Sequence, residues 1–175
     1  MDYKVGERVV YPNHGVGVIE QISFGTVNGM AEKYYMLRIL SSGLRVMVPQ
    51  NNATSVGLRP LIRHGEASKV IAYLEKGGFN SHRDWKDRFK ENSERMRTGS
   101  LMEVATVLKS LVALSRSKPL SFREKKMLER AKFLLVSELA TAHNTTEQTV
   151  EAKVVKALAK AKLQFPVSLE KAEGE

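Results

Sequence analysis

The chain has 175 residues, 42% of them hydrophobic, enough to bury one moderate core or two small ones. It contains no cysteine, which excludes a disulfide framework and thiolate metal sites. No apolar run approaches the roughly 20 residues that span a bilayer, and Met1-Asp2-Tyr3-Lys4 lacks the regions of a signal peptide. A soluble, cytoplasmic protein is expected, with no membrane partner.

The formal net charge of +9 is unevenly spread: +2 over residues 1–68, +8 over 69–132 and −1 over 133–175. A cationic segment draws polyanions by releasing their counterions, and nucleic acid is the commonest cytosolic polyanion. The same charge also suits an ordinary solvated helical surface.

The first 65 residues are patterned as strands. Residues 7–11 form a short strand stopped by Pro12-Asn13-His14-Gly15, which pre-set φ or tolerate positive φ. A second strand is expected at about 16–24. Asn28-Gly29 is a hairpin signal before a third at 33–40, because both residues accept the left-handed conformation. Ser41-Ser42-Gly43 turns into a fourth at 44–48. About four short strands in so few residues suit a small Tudor- or SH3-like barrel. Pro49 cannot donate to a ladder, so it ends the last strand and leaves an edge. Leu37, Met47 and Pro49 then lie near a surface where a partner could add a strand, with Arg45 as a charged neighbour. The same residues also suit the core of a small barrel.

From Glu66 the period becomes helical. Residues 67–76 read as a helix closed by Gly77-Gly78, and Ser81 caps a basic helix running to Arg97 and stopped by Thr98-Gly99. Ser100-Leu101-Met102-Glu103 has the capping-box pattern before a core helix. Ser121-Phe122-Arg123-Glu124 is a second box, opening a helix to Ala142 whose stripe includes Leu128, Leu135 and Leu139. A last helix is expected at about 146–163. The fold class is thus α+β: a β domain at 1–65, an all-α domain of about five helices at 66–165, and a tail at 166–175.

Trp85, the only tryptophan, aligns with Phe89, Asn92 and Met96 at helical spacing, which marks a core face. Yet Arg83, Lys86, Arg88 and Lys90 crowd the same turns, a costly setting for a buried face and a natural one for a rim that meets phosphates. Core anchor and minor-groove wedge both stand on these residues.

Catalysis is not expected. The four histidines are scattered without metal-ligand spacing, and Gly15-Val16-Gly17 lacks the third glycine of a dinucleotide loop, with Glu20 in its place. No cofactor or metal is implied. Other classes are an architectural DNA-binding protein not tethered to another machine, and a membrane-surface helix at 154–163. The latter has no aromatic residue before Phe165 and lies in a segment of net negative charge.

The segments 4–15, 37–40, 46–49, 56–59, Trp85 with Arg88-Phe89-Lys90-Glu91-Asn92, and 120–128 (Leu120-Ser121-Phe122-Arg123-Glu124-Lys125-Lys126-Met127-Leu128) together resemble the CarD family of bacterial transcription regulators, in order over about residues 3–143. The resemblance implies an N-terminal Tudor-like domain, related to the polymerase-interacting domain of transcription-repair coupling factors, that binds the RNA polymerase β subunit. It implies a helical domain on promoter duplex DNA at the upstream edge of the bubble. Trp85 would wedge into the minor groove, with Arg88 and Lys90, then Lys125 and Lys126, near the backbone; Arg83 is a further DNA-binding candidate from the cationic turn itself. It implies a monomer that reaches the nucleoid through polymerase. Some members carry arginine at polymerase-facing positions occupied here by Gly25 and Met47, and one carries arginine at the position of Asp87. Met47 and Pro49 would then make an apolar contact, with Arg45 supplying charge.

Overall fold

The computed structural model describes residues 2–77 and 85–167, with only the backbone of 85–87. The chain divides into two compact units, Met1–Leu61 and Ile62–Glu175.

Unit 1 is a five-stranded antiparallel sheet of β1 (Arg8–Tyr11), β2 (Gly15–Val27), β3 (Met30–Ile39), β4 (Arg45–Pro49) and β5 (Arg59–Pro60), in the order β4-β3-β2-β1-β5. β2 and β3 meet at Asn28 (φ 52) and Gly29 (φ 78), both left-handed, as a two-residue hairpin turn whose twist matches its strands requires. Pairing therefore runs to the turn itself, Val27 opposite Met30, and both strands are longer than expected. The register slips between Ile19 and Gln21, leaving Glu20 as an extra residue. Such a bulge bends a strand. The fifth strand is an addition to the four expected. Arg59 and Pro60 pair with Val10 and Val9 for two residues only, too few to show a period, and Pro60 is tolerated because β5 is an edge.

Val9, Ile19, Tyr35, Leu37 and Val48 fill the core of unit 1. The Tyr3 ring meets Tyr35 edge-on, centroids 5.5 Å apart. Tyr35 Oη accepts from the Tyr3 N–H (3.2 Å), and Tyr3 Oη donates to the Leu58 carbonyl (3.3 Å). Leu37 corrects one expectation. Its side chain is fully buried and β3 is paired on both sides, so it belongs to the core of the sheet and offers no surface to a partner.

Unit 2 holds α1 (His64–Glu75), α2 (Trp85–Thr98), α3 (Leu101–Ser117), α4 (Phe122–Ala142) and α5 (Glu147–Lys160). α3 packs against α1, α2 and α4, and α5 against α1 and α4. The α3 and α4 stripes close on each other through residues such as Leu108, Leu111, Leu128 and Leu135. The box at α4 is formed as expected: the Glu124 N–H donates to Ser121 Oγ (3.3 Å) and the Ser121 N–H to Glu124 Oε1 (3.0 Å).

Two cap expectations fail for physical reasons. Ser100 makes no side-chain cap bond, and Glu103, its would-be partner, pairs with Arg95 across the turn at 3.4 Å. Gly77 does not take positive φ, and Lys76 ends α1 in an extended conformation. The carbonyls of Tyr73 and Lys76 are satisfied by the ammonium of Lys109 on α3, 2.6 Å from Tyr73 O, so a cation replaces the glycine cap. Gly99 (φ 79) does close α2. The proposed Ser81 cap lies outside the described residues, as does the expected tail from residue 168. α5 stops before Lys162 (φ 59), and Leu163 and Phe165 turn back into the core.

Candidate nucleic-acid interface and docking edge

Two faces carry the chemistry, one in each unit. In unit 2, α2 turns Asn92 and Met96 inward and leaves Lys90 exposed, with Arg88 and Phe89 half-buried. Arg123, in the first turn of α4, lies over the Phe89 ring with its guanidinium carbon 4.0 Å from the centroid. This cation–π contact ties the start of α4 to the early turns of α2. One turn on, Lys126 stands 5.1 Å from the centroid of Phe122, a ring 74% exposed. Lys125 is half-buried beside them.

Arg88 and Lys90 flank Phe89 in sequence on α2, and Lys125 and Lys126 follow Arg123 on α4. Further along α2 the cations are answered by acids, Arg95 by Glu103 and Arg97 by Glu94. Trp85 begins α2 in backbone terms; its side chain, those of Lys86 and Asp87, and the whole of Arg83 lie outside the described residues.

Arg123 and Phe122 were missed by sequence reasoning. The available signal was phase: Phe122 falls off the stripe of Leu128, Leu135 and Leu139, and an apolar residue out of phase on an amphipathic helix points to solvent. Asn92 follows the spacing of Trp85, Phe89 and Met96 and is buried, and its amide nitrogen has no hydrogen-bond partner among the described residues.

In unit 1, β4 pairs with β3 alone among the described residues and so stands at an edge of the sheet. Met47 is 54% exposed there and Pro49 half-buried. Arg45 does not stand alone. Its Nε donates to Glu20 Oε2 (2.9 Å) while Arg38 Nε donates to Glu20 Oε1 (2.8 Å), so the bulge residue holds two arginines on one carboxylate. The Arg45 hydrogen bond, chiefly, holds that carboxyl below its usual range.

Among the described residues no cluster of three metal-ligating side chains occurs. No helix among them is long and apolar enough to cross a membrane.

The comparisons with known proteins match both units. Residues 3–62 match the CarD-like/TRCF RID domain and residues 69–163 the CarD C-terminal domain. The chain is 31% identical over 150 residues to the putative transcription factor YdeB of Bacillus subtilis (strain 168), covering 86% of this chain and 98% of that protein. It is 36% identical to the 72-residue N-terminal domain of Myxococcus xanthus CarD, solved by solution NMR, over 34% of this chain and 79% of that one (TM-score 0.30). It is 44% identical to CdnLNt from Myxococcus xanthus over 35% of this chain and 87% of that one (TM-score 0.30). The protein belongs to the CarD family, and its RID-type domain implies interaction with RNA polymerase.

Proposed function

We propose that this protein is a transcription regulator without catalytic activity, which binds the β subunit of RNA polymerase through unit 1 and promoter DNA through unit 2. The free edge of β4, with Met47, Pro49 and Arg45, accepts a strand from polymerase. Unit 2 meets the duplex at the upstream edge of the bubble. There Arg88, Lys90, Arg123, Lys125 and Lys126 contact phosphates, and Trp85 enters the minor groove as a wedge that opposes restacking.

The observation that supports this reading is the Arg123–Phe89 contact, which joins the first turn of α4, with the exposed ring of Phe122, to the cation-rich α2. The mechanism is kinetic. The tether raises the local concentration of a weak DNA-binding surface, so promoter choice comes from polymerase and brings the protein to the nucleoid. A wedge that favours the open over the closed complex by about 1.4 kcal/mol enriches open complexes about tenfold.

A gel shift at physiological salt tests the tether. The lone protein should bind promoter fragments weakly and the polymerase-bound protein firmly. Equal, tight binding by the lone protein would favour an architectural DNA-binding protein that works without polymerase.

A further inference from the structure

Glu138 stands where the core stripe of α4 calls for an apolar side chain. It shares a helix face with Leu134 and Leu135, precedes Leu139, and is only 2% exposed. Burying a carboxyl group is costly unless its oxygens accept hydrogen bonds. Glu138 Oε2 accepts from the backbone N–H of Ile62, 3.1 Å away and 76 residues earlier in the chain.

Ile62 is the first residue of unit 2, and its side chain packs against that unit's core. Just beyond it α1 begins without a cap of its own, because Arg63 makes no side-chain cap bond. Glu138 therefore supplies from α4 the acidic group that favours a helix N-terminus, as the ammonium of Lys109 answers the carbonyls at the other end of α1. On the other side of Ile62, the last paired residue of unit 1 is Pro60, opposite Val9. Leu61 alone separates a residue held in the sheet from a residue held by Glu138.

We propose that Glu138 is a positioning residue: it keeps the free connection between the two units one residue long, and so sets how strongly the polymerase tether raises DNA binding. This rests on the tethered reading above and deepens it. A tether concentrates its second site according to the length of free chain that joins the two. Without the Glu138 carboxylate the free chain runs from Leu61 through Arg63 to the start of α1, three residues in place of one. With effective concentration falling as the −3/2 power of length, the gain from tethering drops about fivefold.

The test titrates full-length chains with a forked promoter duplex, alone and bound to core RNA polymerase, and with polymerase in the absence of DNA. The gain is the ratio of the two DNA affinities. Glu138→Leu keeps a buried side chain of similar size but offers no acceptor. It should bind polymerase and DNA separately as the parent does, yet lose about fivefold of the gain. Glu138→Gln keeps a carbonyl oxygen for the Ile62 N–H and should retain most of it. Gly-Ser inserted between Leu61 and Ile62 lengthens the connection equally with Glu138 intact, and should match Glu138→Leu. A parent-like gain in either the Glu138→Leu chain or the insertion chain overturns the proposal. If the parent itself binds DNA no better on polymerase than alone, the tethered reading fails instead.

Discussion

Arg123 stacks on Phe89, and this contact joins the first turn of α4 to α2. Arg123 has no carboxylate partner among the described residues, so its charge is available to a phosphate. Arg123→Ala should reduce the slope of log affinity against log salt by about one unit on a forked duplex bound with polymerase. It should cost only about 0.5–1 kcal/mol of stability. Fluorescence anisotropy at several salt concentrations measures the first and urea unfolding the second. An unchanged salt slope would make Arg123 a packing residue alone.

Lys109 caps α1 from a neighbouring helix and also lies 4.4 Å from the Tyr73 ring centroid. Lys109→Met keeps the apolar stem but leaves both carbonyls without their donor. Loss of about 1–3 kcal/mol is expected in chemical denaturation. A stability equal to the parent's would mean that water replaces the ammonium.

The two serine caps should respond differently. Ser121→Ala removes a formed capping box and should cost about 1 kcal/mol, whereas Ser100→Ala removes no cap bond and should cost about a quarter of that or less. Thermal melts of the two variants side by side decide this, and equal losses would contradict the assignment.

His143 caps the end of α4 and stacks on His64, with ring centroids 4.8 Å apart. Burial, then the charges of His64 and Lys153, pushes its pKa below the ordinary value of 6.5. The unfolded chain therefore binds this proton more readily than the folded one. Stability is complete above about pH 6.5 and falls as the pH drops below it. The urea midpoint should decline between pH 7.5 and 5.5, and His143→Gln should flatten that decline. The same slope in both proteins would assign it elsewhere.

Much of the fold was legible because local chemistry and tertiary demand agree. Asn28-Gly29 turns, Ser121-Glu124 caps, and the α3 and α4 stripes form the core. The misreadings share another cause. Leu37 sits in the middle of a sheet whose pairing partners the sequence does not reveal. Gly77 lost its cap role to Lys109, 32 residues further along the chain, and Ser100 lost its box because Arg95 competes for Glu103. β5 is too short to have a period. The site was half legible: the density of cations marked α2, but the joining of α2 to α4 through Arg123 and Phe89 is a tertiary contact between two ordinary-looking turns. Phe122 was hidden by its place inside a cap motif.

The central claim is that the helical unit holds the bubble open, and the lifetime of the open complex tests it most directly. Complexes of cognate RNA polymerase would be formed on a ribosomal RNA promoter and challenged with a competitor that traps released enzyme. Parent protein, Trp85→Ala and no protein would be compared, with polymerase binding verified for each. The parent should lengthen the lifetime and Trp85→Ala should lose most of that gain while still binding polymerase. A lifetime the same with and without bound parent protein would contradict the account.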